Sequence, residues 1–290
     1  MFVTQEKIEE MVSELADRMY TYAHFITEYC LNVIDTEDYQ VKEKRFFYTL
    51  LFKASNELTA VSTLFKNFYQ KAAFQSSMYL IIRTMLSDCF AAWHVIKLKE
   101  LGEDHLYMID LIDYDHVSFS IKTLKGSYNL IHRLKKSEID DAIQAVKSSN
   151  SRFFNYTVKE NGQKVYGENI FGKDFYSLRN TISFLTQQKL IKEEKEILIK
   201  MFYYYDYYSK LEHPGVLTFQ LVHKSFDQLA FKKSLRDLIE NIFIIEPFIA
   251  TYMKNWPELE NSISSNYLSV TEKMYKKATE LWEILKMEAI

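Results

Sequence analysis

Glycine and proline are scarce in this chain of 290 residues, which contains only six glycines and three prolines. Sheets and their tight turns usually need more of both, so their scarcity favours long helices with few connections. Hydrophobic residues make up 48% of the chain and charged residues 26%, which are ordinary values for a globular protein. We therefore expect an all-α fold with a substantial core.

Cysteine and excess charge are also lacking. The two cysteines, Cys30 and Cys89, lie in segments with helical periodicity and indicate no disulfide framework, so we expect a cytoplasmic protein. The net charge of −3 supplies no general attraction to DNA, RNA or anionic lipid. The first fifteen residues lack a basic region followed by an apolar run, so no signal peptide is expected.

A long uninterrupted hydrophobic run is missing. The most apolar window, residues 78–98, carries Arg83, Asp88 and His94 in its interior. A helix exposed to lipid tolerates such groups poorly, so this window predicts a buried helix and no membrane association.

Familiar catalytic motifs are absent as well. The chain has no glycine-rich nucleotide loop, no GxSxG, no HExxH and no CxxC pair. These absences exclude the nucleotide-binding proteins, hydrolases and zinc proteins that carry such motifs, and no cofactor is expected. An unfamiliar enzyme stays open.

What is present is helical periodicity. Apolar residues recur at spacings of three and four from Gln5 to about Val33, and similar patterns predict about eight or nine helices in a multi-helix bundle. Gly102 is expected to end the third helix in a left-handed cap. Ser269 and Glu272 have the spacing of a capping box and predict the start of the last helix.

Residues 148–173 differ from their surroundings because they hold three of the six glycines. They predict one long loop or a short hairpin around KENGQK. The chain is expected to form a single all-α domain over residues 1–290, and this segment allows a subdivision into 1–147 and 174–290.

Arg83 is the first candidate site residue, because nearly all of its neighbours are apolar. A buried guanidinium stays charged and must be paired. Ser87 shares its helix face, whereas Asp88 is expected to point elsewhere. One interpretation is a structural ion pair, and the other is an arginine that binds an anion in a cleft between helices.

His213 is the second candidate, at the end of the tyrosine-rich stretch 203–208 and directly before Pro-Gly. A histidine there suits the negative end of a helix. It also suits an acid, a base or an anion donor, with Ser209 one turn earlier and Asp206 or Glu212 as the orienting carboxylate. For the tyrosines themselves, core packing is the default interpretation.

Two further stretches are weaker candidates. Asp110, Asp113 and His116 share a helix face, but no matching motif exists elsewhere, so no metal site is predicted. The basic stretch 121–136 is interpreted as a solvated face, with RNA contact as the alternative.

Two of these stretches together resemble the bacterial domain-of-unknown-function family 5677. MYLIIRTMLSDCFAAWHV resembles its helix with an arginine, an acid and a large aromatic residue, and YYDYYSKLEHPG resembles its aromatic helix ending in Ser-x-x-x-His. The resemblance pairs Arg83 and Asp88 with the first motif, and Ser209 and His213 with the second. It implies a helical bacterial protein without an established activity.

The family is also similar to HEPN-type helical ribonucleases of toxin and phage-defence systems. This chain departs from their Arg-to-His motif, since Ser209 and Lys210 stand before His213. The leading hypothesis is a protein that acts through a protein partner, a second copy or a small anionic ligand held by Arg83, Asp88, Asp206 and His213. The alternative is a metal-independent ribonuclease that uses His213, Arg83 and Ser209.

Overall fold

A computed structural model describes residues 4–33, 40–67, 73–130, 135–210, 228–254 and 260–287. These residues form nine α-helices and one two-stranded hairpin, which confirms the predicted all-α bundle of eight or nine helices. The helices are α1 (Gln5–Val33), α2 (Lys42–Lys66), α3 (Ala73–Glu100), α4 (His105–Leu130), α5 (Lys136–Ser149), α6 (Leu178–Gln187), α7 (Lys192–Ser209), α8 (Gln228–Lys254) and α9 (Glu260–Met287).

The chain divides into two compact units. The larger unit comprises residues 1–92 and 186–290, and the smaller unit comprises residues 93–185. The prediction of a single domain, with its subdivision around residues 148–173, stays a prediction.

The core of the larger unit follows from helical periodicity. On α1, the predicted apolar stripe is buried, and Leu15, Met19 and Tyr22 have no exposed surface. α1 packs against α2 and α9, and α8 packs against α2, α7 and α9. Each helix therefore buries one face against its neighbours, which is where helices in proteins obtain most of their stability.

The smaller unit is built on α4, α5 and the predicted hairpin, which is confirmed. β1 (Phe154–Val158) and β2 (Lys164–Asn169) pair antiparallel, and Gly162 adopts a φ of 79° in the turn between them. An isolated hairpin is barely stable in water, so it needs a helix to pack against. Gln144 of α5 supplies a polar tie, because its amide donates to the carbonyl of Tyr166 and accepts from the backbone N–H of Tyr166, both at 3.0 Å.

Two predicted helix ends have opposite outcomes. Gly102 has a φ of 71°, its N–H bonds the carbonyl of Lys99, and the N–H of Glu103 bonds the carbonyl of Leu98, so the left-handed cap is confirmed. The capping box at Ser269 is wrong, because α9 already begins at Glu260. The Ser-x-x-Glu spacing also fits one face of a helix interior, so the motif by itself does not mark a start.

None of the described helices is both long and apolar enough to cross a membrane.

Candidate functional site

Arg83 lies on α3 in the larger unit and contacts α7. Its Nη2 donates to the hydroxyl of Tyr205 at 3.1 Å, and its guanidinium carbon lies 4.8 Å from the centre of the Tyr205 ring. Phe90, two turns further along α3, packs edge-on against the same ring. The guanidinium therefore combines a hydrogen bond with a cation–π contact, which suits its planar and weakly hydrated charge.

The end of α7 carries two of the other predicted site residues. The Ser209 hydroxyl donates to the carbonyl of Asp206 at 2.6 Å, and Asp206 forms an exposed ion pair with Lys210 at 3.2 Å. Both side chains thus interact with their own helix end. His213 and Glu212 lie outside the described residues, so the cleft shared by Arg83 and His213 stays a prediction.

The tyrosine stretch divides between core and surface. Tyr204 and Tyr208 are buried, whereas Tyr203 is 55% exposed. Tyr208 stacks on Tyr79 with ring centres 4.6 Å apart and accepts a hydrogen bond from Asn241, and Tyr204 donates to Glu240 at 2.5 Å. Each buried ring thus has a partner for its hydroxyl, in agreement with the interpretation of core packing.

Asp88 belongs to a charged cluster between α2 and α3. Lys53 of α2 approaches both carboxylate oxygens of Asp88, at 2.7 and 3.0 Å, and lies 3.9 Å from Glu57 on its own helix. Glu57 belongs to this cluster and was not among the site residues predicted from the sequence. The sequence feature that could have identified Glu57 is its spacing of four residues from Lys53, which places the two side chains on one helix face.

Glu57 is the most perturbed acid of the cluster. Burial, and then the negative charge of Asp88, raise the pKa of Glu57 to about 8, although Lys53 opposes the shift. Its Oε2 is buried without a hydrogen-bond partner. Glu57 also lines a shallow groove of about 350 Å³ with Asn56, Ala60, Leu80, Ile81 and Thr84. The groove is wide open, so it offers a ligand little burial.

The smaller unit contains a more enclosed site, which we name the His94 cavity. It has a volume of about 270 Å³ and is lined by His94, Met108, Leu111, Lys173, Asp174, Phe175, Tyr176, Ser177, Asn180 and Thr181. His94, Leu111 and Thr181 are buried, whereas Lys173, Asp174 and Asn180 are exposed. The cavity therefore combines apolar side chains with a buried histidine and has charged groups at its exposed mouth, as ligand pockets commonly do.

His94 is held by two contacts. Its Nδ1 lies 3.0 Å from the Thr181 hydroxyl, and its ring stacks on Phe184 with the ring centres 4.2 Å apart. The residue is only 4% exposed, and burial lowers the pKa of His94 to about 4. The imidazole is therefore neutral at physiological pH, and it can donate or accept a hydrogen bond through its second nitrogen.

That second nitrogen is available to a ligand. Within the described part of the chain, the only side-chain hydrogen bond of His94 runs through Nδ1, which leaves Nε2 without a protein partner on a residue that lines the cavity. Nε2 is not among the fully buried unpaired atoms, so it keeps some accessible surface on a residue that is otherwise buried against the cavity. A hydrogen-bonding group of a bound molecule can pair with it there. The sequence had shown His94 only as one polar residue in an apolar helix.

The weaker candidates of the sequence occupy other places. Asp113 forms an ion pair with Arg152 at 2.6 Å, and Lys122 and Lys125 of the basic stretch are exposed. Among the residues described, no three His, Cys, Asp or Glu side chains are grouped closely enough to hold a metal ion.

Comparison with known protein families, characterised proteins and solved structures finds no match to this chain. The resemblance to family 5677 and to HEPN-type ribonucleases stays a hypothesis. The geometry of the sites therefore carries the functional inference.

Proposed function

We propose that the protein binds a small polar molecule in the His94 cavity and acts through that ligand. The observation that supports this proposal is a histidine that is 4% exposed, lines a cavity of about 270 Å³ and uses only Nδ1 for a side-chain hydrogen bond to the protein. A neutral imidazole in this position favours a ligand that presents a hydrogen-bonding group to the cavity floor. Met108 and Leu111 supply apolar contacts for the rest of the molecule.

His94 is proposed to bind its ligand through a hydrogen bond rather than through an ion pair. With a pKa near 4, the ring carries no charge at neutral pH, so it selects a ligand by hydrogen bonding. A polar group that pairs with a buried partner discriminates strongly, because a ligand without that group leaves the partner unsatisfied.

The test is a thermal-shift screen of small metabolites against the wild type and His94→Asn. Asparagine keeps a polar atom near the Nδ1 position, which faces Thr181, and lacks any atom at the Nε2 position. We expect at least one compound to stabilise the wild type and to lose most of that effect in His94→Asn. A ligand that stabilises both proteins equally, or the absence of any ligand, overturns the proposal.

Two further variants guard against misfolding. Asn180→Ala changes the exposed mouth of the cavity and should weaken the same ligand without disturbing the core. His24→Asn is the matched control, because His24 is exposed and pairs with Glu28 on α1 of the larger unit. Ligand binding should be unchanged in His24→Asn.

A second candidate function is the metal-independent ribonuclease, in which Arg83 stabilises charge and His213 transfers a proton. The observation that favours it is the contact between Arg83 and Tyr205, since Tyr205 lies one turn before Ser209 on the helix that leads toward His213. We expect RNA cleavage by the wild type and by Arg18→Ala, which alters an exposed arginine, but not by folded Arg83→Ala or His213→Ala. Unchanged cleavage in both folded variants rules it out.

The proposal also holds that the protein binds a protein partner or a second copy of itself. It further places the protein in a bacterial cytoplasm, as part of a defence or toxin module. Ile199, Phe202 and Tyr203 of α7 support the partner, because they form an exposed apolar face with spacings of three and four residues. Cys30 and Cys89 are free and buried, which accords with a reducing compartment.

A further inference from the structure

The mouth of the His94 cavity presents one positive and one negative group that are not paired with each other. Lys173 and Asp174 are neighbours in the chain, and both are exposed. Within the part of the chain that the structure describes, Lys173 has no ion pair. Asp174 accepts a hydrogen bond from the Tyr107 hydroxyl at 2.7 Å through Oδ2, which leaves Oδ1 for another donor.

The N-terminus of α6 lies at the same mouth and adds a second positive element. Ser177 caps this helix of ten residues, because its Oγ accepts from the N–H of Asn180 and its carbonyl accepts from the N–H of Thr181, both at 3.1 Å. As the first two residues of the helix, Leu178 and Arg179 have N–H groups without an acceptor inside it. Such helix ends favour carboxylates and phosphates.

His94 is the independent observation that marks this helix end as part of a ligand site. Its side chain is 4% exposed, lines the cavity and has an Nε2 without a partner among the described residues. A purely anionic ligand would leave Asp174 facing a like charge, and a purely cationic ligand would do the same to Lys173. A ligand with both charges meets both groups.

We propose that the ligand of the His94 cavity is a zwitterion of the α-amino-acid class. Its carboxylate lies toward Lys173 and the N-terminus of α6, and its ammonium group lies toward Oδ1 of Asp174. Its side chain enters the cavity between Met108 and Leu111, where a polar group on it meets Nε2 of His94. This inference rests on the proposed function and specifies its ligand.

The test uses the full chain, the twenty protein amino acids as probes, and calorimetry for those that bind. Each amino acid that binds is then compared with its deaminated and its decarboxylated analogue. We expect the intact amino acid to bind at least about tenfold more tightly than either analogue, since each lost charge-assisted hydrogen bond is worth ~1.5 kcal/mol or more.

The variants assign each charge to a residue. Asp174→Asn should remove the advantage over the deaminated analogue, and Lys173→Met should reduce the advantage over the decarboxylated one. Lys159→Met and Glu160→Gln are the matched controls, because they alter a second exposed Lys-acid pair of adjacent residues, in the hairpin turn of the same unit. Affinity should be unchanged in both controls.

The outcomes separate the two proposals. If the analogues bind as tightly as the amino acid, or if only other compounds from the metabolite screen bind in a manner that depends on His94, the zwitterion is wrong and the ligand site remains. If no small molecule binds in that manner, both proposals fall.

Discussion

Glu57 in the larger unit is a half-buried titratable side chain and His94 in the smaller unit is a buried one, and burial moves their pKa values in opposite directions. The pKa of Glu57 rises to about 8, and that of His94 falls to about 4. The directions differ because burial disfavours the charged form, which is the deprotonated form of an acid and the protonated form of a histidine. Both groups therefore approach neutrality.

The surroundings of the two groups are different. Glu57 lies beside Lys53 and Asp88, so neighbouring charges modify the effect of burial on its pKa. His94 contacts a threonine hydroxyl and a phenyl ring, and burial alone accounts for its shift. A charged cluster and an uncharged cavity floor therefore both favour the neutral form of a titratable side chain, the first through burial together with neighbouring charges and the second through burial alone.

The largest expected effect is on the pH dependence of stability through Glu57. Because the folded state holds the proton more tightly, the wild type loses unfolding free energy as the pH rises from about 4.5 to about 8. The shift from 4.5 to about 8 corresponds to about 5 kcal/mol. Glu57→Gln should lack this loss in urea denaturation, and Glu160→Gln, in an exposed turn, should keep it. An equal slope in wild type and Glu57→Gln contradicts the prediction.

The next largest effect is the pH dependence of stability that His94 causes, which has the opposite sign to that of Glu57. The unfolded chain binds the proton more tightly, so the wild type loses stability as the pH falls from about 6.5 to about 4, by about 3 kcal/mol. His94→Asn should remove this acid-side loss, whatever its overall stability. Urea denaturation between pH 4 and 7 measures it, with His24→Asn as the control that retains the wild-type slope.

A smaller effect distinguishes the contribution of neighbouring charge from that of burial. Lys53→Met removes the cation that opposes the pKa shift of Glu57, so the pKa of Glu57 should rise further above 8 while that of His94 stays unchanged. Carboxyl and imidazole NMR titrations measure both values. Lys66→Met is the control, since Lys66 lies at the other end of α2 and pairs with the exposed Asp17 of α1. A fall in the pKa of Glu57 would mean that Lys53 does not act through its charge.

The smallest effect is expected at Asp206, an exposed acid of the larger unit. It pairs with Lys210 at a spacing of four residues, and both side chains are more than half exposed. Such pairs contribute at most about 0.5 kcal/mol, so Asp206→Asn should barely change the unfolding free energy at low salt. A loss several times larger would assign Asp206 to a structural network beyond this ion pair.

Local patterns in the sequence predicted much of the fold. The stripe of apolar residues on α1 predicted a helix from Gln5 to about Val33, and the structure has the same bounds. Gly102 predicted its cap because few residues other than glycine adopt a positive φ at low cost. Ser269 misled because its spacing with Glu272 is compatible with a helix interior, and only the packing of the preceding residues decides which applies.

The candidate sites depended on contacts that sequence spacing does not encode. Arg83 was identified from its apolar neighbours, yet its described hydrogen-bond partner, Tyr205, is 122 residues away. Asp88 was identified through its neighbour on α3, whereas the structure pairs it with Lys53 of α2. Spacing on one helix predicts which residues share a face, and it says nothing about the helix that packs on that face.

The sequence by itself therefore determined the helical architecture, the apolar stripes and the hairpin, because each is set by residues close together in the chain. Only the tertiary structure decided that Glu57 is half-buried and His94 buried, that their pKa values shift, and that residues 173–181 join His94 around one cavity. Burial and the approach of distant groups are properties of packed surfaces. They arise only when elements far apart in sequence exclude water from the same place.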